Sequence, residues 1–130
     1  MTAKKRILIV DDDQDLREMT RMVLERNGYE VETAVDSREG TTKAAAIQPD
    51  LILVDIVMEE VDAGLVFAET LGAQYPMLLI SSIATSAEKV FDAHKLPVKG
   101  VLQKPVEPQR LLERVHAALA DEAKPNGKGN

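Results

Sequence analysis

Five short strand-like runs punctuate the chain: Arg6-Ile-Leu-Ile-Val10, Tyr29-Glu-Val-Glu-Thr-Ala34, Leu51-Ile-Leu-Val54, Pro76-Met-Leu-Leu-Ile80 and Lys99-Gly-Val-Leu-Gln103. The first, third and fourth are apolar almost throughout, as expected of strands covered on both faces. The second alternates polar and apolar positions, which predicts a less covered strand. Between these runs apolar residues recur at helical spacing. Leu16, Met19, Thr20, Val23 and Leu24 predict a first helix, which Asn27-Gly28 stops. Ser37 is expected to cap a second helix running to Ile47, with Pro49 beyond its end. Asp62 is expected to cap a third that includes Leu65 to Leu71, and Thr85-Ser-Ala-Glu88 has the form of a capping box for a fourth, ending near His94. Pro108 suits the first turn of a last helix striped by Leu111, Leu112, Val115 and Leu119.

Strands alternating with helices through short connections imply βα crossovers and a parallel sheet with helices on both faces. The predicted fold class is therefore α/β: a flavodoxin-like, doubly wound (βα)5 unit whose five-stranded sheet has the order 2-1-3-4-5. A single domain is expected over residues 1–122, with the polar stretch 123–130 as a disordered tail.

Composition narrows the function classes. The chain has no cysteine, which excludes disulfides, thiolate metal ligands and cysteine nucleophiles. Only four apolar residues follow Lys4-Lys5-Arg6 before Asp11, so no leader pattern is visible, and no apolar run approaches the roughly 20 residues of a membrane span. A cytoplasmic address and no membrane contact are expected. The net charge of −6 weighs against direct nucleic-acid binding. Its distribution says more. Asp11, Asp12, Asp13, Asp15, Asp55, Glu59, Glu60 and Asp62 are eight of the 22 acidic residues, and all follow just two of the strand-like runs.

In a parallel sheet every strand C-terminus lies along one edge. Asp11 and Asp12 follow the first strand, Asp55 the third, Ser81 the fourth and Lys104 the fifth. In the order 2-1-3-4-5 the first and third strands are neighbours at the topological switch point, so three carboxylates are expected to converge there. Clustered carboxylates repel unless a cation intervenes, and hard oxygen ligands suit Mg2+ or Mn2+. The same groups suit phosphoryl transfer. Asp55 can serve as nucleophile, forming an acyl phosphate, while the Lys104 ammonium and the Ser81 hydroxyl hold phosphoryl oxygens. Taken alone, Asp11-Asp12 reads equally well as a helix cap, and Asp13 and Asp15 as first-turn acids that favour the helix dipole.

Together these residues resemble the receiver domains of two-component response regulators. Ile7-Leu-Ile-Val-Asp-Asp-Asp-Gln-Asp-Leu-Arg17 is similar to the family's opening strand and acidic pair, Asp55-Ile-Val-Met58 to its phosphoacceptor motif, Ser81 to its hydroxyl position and Lys104-Pro105 to its lysine–proline pair. The likeness runs over about residues 5 to 121. It implies a phosphoacceptor rather than a turnover enzyme. It further implies Asp12 and Asp55 as Mg2+ ligands with the Val57 carbonyl, Asp11 holding metal-bound water, and a cis peptide before Pro105. A histidine kinase or phosphotransfer protein is the implied donor and a downstream protein the implied target, with a phosphorylation-linked homodimer as a further option.

The chain departs from the family pattern in places. Glu59 stands where the family usually has Pro, and Ala63 where it has Gly, with Gly64 one later; Val101 replaces the frequent aromatic of the fifth strand. A receiver-like interaction module that works without phosphorylation is the rival these departures keep open. Val57 and Ile83, two residues past Asp55 and Ser81, are apolar and cannot orient an attacking water, so slow self-hydrolysis is expected.

Overall fold

Successive strand residues point to opposite faces of a sheet, so an apolar run of five residues supplies two cores at once. That is the organisation of the computed structural model, which describes residues 4–55, 70–81 and 98–123. Its strands are β1 (Arg6–Val10), β2 (Glu30–Ala34), β3 (Leu51–Asp55), β4 (Met77–Ser81) and β5 (Gly100–Gln103). All pairs are parallel, in the order β2-β1-β3-β4-β5, as the alternation of runs predicts. Helix α1 (Gln14–Arg26) follows β1, α2 (Ser37–Ile47) follows β2, and the last helix, α3 (Pro108–Ala123), follows β5. The expected third helix reaches the described residues only at 70–72, which are helical; the expected fourth lies outside them.

On one face Leu8, Val10, Ile52, Val54, Met77 and Leu79 pack with Ala44 of α2 and with Leu71. On the other, Ile7, Ile9, Leu51, Leu53, Leu78 and Leu102 pack against Leu24 of α1 and against Leu111, Val115, Ala118 and Leu119 of α3. Full burial of each Leu or Ile contributes about 1.5–3 kcal/mol before the entropy of ordering is counted. These aliphatic layers hold the strand ends in register.

Two strands run one residue beyond their apolar stretch. Asp55 pairs with Ile80, and Ser81 with Gln103, so the ladder carries both polar residues as strand members. The caps also sit one residue away from their expected places. Asp13 is the cap of α1, its Oδ1 accepting from Leu16 N at 3.1 Å, and not a first-turn acid. Asp36, not Ser37, caps α2, accepting from Glu39 N at 2.9 Å, while Glu39 Oε1 accepts from Val35 N at 2.8 Å. Ser and Asp cap comparably, so extended backbone at the preceding residue decides which one serves.

One edge of the sheet is β2, where Glu30 and Glu32 face water. Lys43 of α2 donates to the Thr33 carbonyl at 2.5 Å, which occupies one acceptor of an otherwise open strand. The N-terminal ends of the strands are tied by Arg6. Its N–H donates to Asp50 Oδ2 at 2.8 Å, its Nη1 to the Ile47 carbonyl at 3.0 Å, and its Nε pairs with Glu30 at 2.9 Å.

Candidate functional site

The register that stacks β1, β3, β4 and β5 brings their C-terminal ends into one row. Asp11, Asp55 and Ser81 are 6%, 3% and 0% exposed, and among the described residues they are the buried polar or charged ones. Strand parity explains part of this. Asp11 continues the series Ile7, Ile9, and Asp55 the series Leu51, Leu53, so both carboxylates come off the α1 side of the sheet.

Each is held differently. Lys104 Nζ donates to Asp55 Oδ2 at 2.6 Å, a charge-assisted bond to a buried acceptor from a lysine whose side chain is 23% exposed. The Lys104 backbone N–H donates to the Ser81 carbonyl at 2.7 Å, which fastens the end of β5 to the end of β4. The Lys104–Pro105 peptide is cis, as the resemblance implied. Ser81 Oγ is buried with no hydrogen-bond partner among the described residues. A hydroxyl so placed carries an unmet desolvation cost of about 1–3 kcal/mol.

Asp11 is strained electrostatically. Burial pushes its carboxyl from 3.8 up to about 6; the Asp13 N–H that donates to Oδ1 at 2.9 Å works against the rise, and the Asp55 carboxylate beside it adds to it. The Lys104 ammonium offsets part of that repulsion. Two carboxylates in contact and one hydroxyl without a partner among the described residues supply oxygen atoms, and the single ammonium leaves the cluster with excess negative charge. Such a cluster fits a hard divalent cation and the oxygens of a phosphoryl group.

Four of the predicted site residues are therefore assembled: Asp11, Asp55, Ser81 and Lys104. Asp12 is not. Its residue is exposed, and among the described residues no three acidic or imidazole side chains surround a common point. Of the three carboxylates expected to converge, Asp11 and Asp55 are in contact and Asp12 is exposed. Asp12 follows Asp11 in a bend, where strand parity no longer directs the side chain inward. Val57, Glu59, Ala63, Gly64 and Ile83 lie outside the described residues. Val101 is half-buried and packs on the core face shared with Leu79.

Sequence reasoning missed Arg17. Its Nη1 donates to the Asp11 carbonyl at 2.7 Å, reaching back from the second turn of α1. The available signal was a long basic side chain on the helix that an acidic turn opens. Beside the cluster lies an apolar cavity of about 390 Å³ between α1 and α3, lined by Leu16, Met19, Val23, Ile80, Val106 and Leu111, with Asp11 and Lys104 also in its wall.

Comparison with known proteins accords with this geometry. The response regulator receiver domain family matches residues 7–116. The chain is 34% identical over 121 residues to the DNA-binding dual master transcriptional regulator RpaA of a Synechocystis strain, covering 88% of this chain and 48% of that protein. It is 36% identical over 129 residues to the response regulator MprA of Mycolicibacterium vanbaalenii, covering 95% and 54%. The chain spans about half the length of the curated relatives it matches. Among solved structures, a CheY-like receiver domain protein from Methanospirillum hungatei superposes with a TM-score of 0.86 at 30% identity, covering 95% of this chain and 99% of that one. Chemotaxis protein CheY4 of Vibrio cholerae gives 0.79 at 34% identity, covering 89% and 99%. The chain belongs to the receiver-domain family of two-component response regulators. Members of that family are phosphoacceptors that bind Mg2+ at their acidic pocket and work with histidine kinases. Among the described residues no helix is long and apolar enough to cross a membrane.

Proposed function

We propose that Asp55 is the phosphoacceptor of this chain, taking a phosphoryl group from the phosphohistidine of a histidine kinase or phosphotransfer protein. The observation that carries this reading is the position of Asp55: buried, at a strand end, in contact with the Asp11 carboxylate on one side and the Lys104 ammonium on the other. A carboxylate oxygen of Asp55 attacks phosphorus, the P–N bond to the donor imidazole breaks, and the imidazole leaves as the acyl phosphate forms. Lys104 moves from the carboxylate it now holds to a phosphoryl oxygen, so its charge follows the charge that develops. Ser81 Oγ, without a partner among the described residues, gains an acceptor. Asp11, Asp12, Asp55 and the Val57 carbonyl are the groups we assign to Mg2+ or Mn2+, directly or through water; the bound cation supplies charge neutralisation of the phosphoryl oxygens.

The unit that acts is residues 1–122, in the cytoplasm, and its output passes through protein contacts or onward phosphotransfer. The net charge of −6 supports a protein rather than a nucleic-acid target for these residues. The apolar wall beside Asp11 and Lys104, with Met19 52% exposed, suits a protein donor better than a small one. With apolar residues at 57 and 83, the phosphorylated state should last well beyond seconds. Phosphoprotein-gel analysis with a small acyl-phosphate donor tests the reading: a band is expected with wild type and Mg2+, and none with Asp55→Asn. No Asp55-dependent band would instead favour a phosphorylation-independent interaction module.

A further inference from the structure

Asp11 is held on several sides by bonds that sequence motifs do not announce. Its N–H donates to the Ala34 carbonyl at 3.0 Å, and its Oδ1 accepts from Asp13 N at 2.9 Å. Its carbonyl accepts from Arg17 Nη1 at 2.7 Å. The first two bonds come from the sheet and from the turn itself. The third comes from a side chain six residues on, and it crosses the turn from the helix to the strand. Asp11 lies past the end of β1, so its carbonyl has no ladder partner, and an unpaired group beside two buried carboxylates would be costly. The partner it has is a cation. The same guanidinium therefore fixes the turn and places a positive charge near the acidic cluster.

We propose that Arg17 is a positioning residue for the cation site: by bonding the Asp11 carbonyl it locks the β1–α1 turn so that the Asp11 carboxylate stays turned towards Asp55. The inference rests on the assignment of Asp11 to the cation site. Its two physical effects have opposite signs. As a charge, Arg17 repels a divalent cation, so its removal should tighten binding. As an anchor, it keeps Asp11 oriented, so its removal should weaken binding. Anchoring outweighs repulsion here because the guanidinium spends its charge on a 2.7 Å bond, whereas a loosened Asp11 gives up the orientation of its carboxylate.

Isothermal titration of Mg2+ into chelator-stripped protein measures the balance directly, with no phosphorylation step involved. Arg17→Met, which keeps the aliphatic stem, and Arg17→Ala are each expected to weaken Mg2+ affinity roughly three- to tenfold. Arg17→Lys, which keeps a donor and the charge, is expected to recover most of that loss. Arg21→Ala removes a positive charge one turn further along α1, where Arg21 pairs with Glu18 and Glu25, and is expected to stay within about twofold of wild type. Melting temperatures in chelator should agree within a few degrees across the set, which separates positioning from loss of fold; if the Ala variant melts early, the Met variant carries the test. Equal or tighter Mg2+ binding by Arg17→Met, or an equal loss in Arg21→Ala, overturns the inference. Wild type that binds no Mg2+ overturns the site assignment itself, and the inference with it.

Discussion

The two ends of the same sheet are built to opposite specifications. At the N-terminal ends of the strands, Arg6 joins β1, β2, α2 and the residue before β3 through Asp50, Ile47 and Glu30, and the pairs are partly exposed. Each of these groups has a partner and none is deeply buried. At the C-terminal ends, Asp11, Asp55 and Ser81 are buried, one hydroxyl has no partner among the described residues, and one carboxyl is pushed up to about 6. The aliphatic layers between are shared, so the difference is local. One end stabilises the fold, and the other holds unfavourable interactions, partly offset by Lys104, that a bound cation or phosphoryl group would relieve further.

Substitutions at the two ends should therefore move stability and phosphorylation in different combinations. The largest effect is expected at Lys104. Lys104→Met should slow phosphorylation of Asp55 by about 100-fold, as loss of one preorganised charge partner does, and the initial rate with a small acyl-phosphate donor measures it. Next comes Asp11→Asn. The Asp11 carboxyl titrates higher folded than unfolded, so its ionisation opposes folding: the wild type loses stability as pH rises from about 4 through about 6. The Asn variant escapes that loss. Urea unfolding in chelator should show it more stable by about 1–3 kcal/mol at pH 7, with the two chains converging below about pH 4.

Asp50→Ala probes the other end. Removing the acceptor of the Arg6 N–H should cost about 1–2 kcal/mol of stability by urea unfolding and leave the phosphorylation rate within about twofold. The smallest change in stability is expected from Ser81→Ala. Deleting a buried hydroxyl that has no partner among the described residues should leave stability unchanged or raise it by up to about 1 kcal/mol, while phosphorylation slows. Loss of stability in Ser81→Ala, or a slowed reaction in Asp50→Ala, would erase the contrast between the two ends.

Much of this arrangement is legible in the residues, for a specific reason. Apolar runs of strand length alternating with helical stripes leave few topologies, and in a parallel sheet every strand end falls on one edge. Asp55, Ser81 and Lys104 therefore come together by topology alone. Residues just past a strand end are less legible. Asp11 and Asp12 are chemically identical in the chain, yet one is buried and the other exposed, because side-chain direction in a bend depends on φ and ψ rather than parity. The caps Asp13 and Asp36 were displaced from expectation for the same reason. Arg17 and Lys43 escaped notice because long basic side chains reach backbone carbonyls across elements, which no periodicity encodes. The segment from Val57 to Gly64, where the chain departs from its family, lies outside the described residues.

Which residue carries the phosphoryl group can be read chemically. Borohydride reduces an acyl phosphate of aspartate to homoserine, so reductive trapping after phosphorylation, with peptide mapping of the product, reads out the modified residue. Homoserine is expected at position 55, dependent on Mg2+ and absent without donor. Homoserine at another aspartate, or unmodified Asp55 in protein that has incorporated phosphoryl, would contradict it.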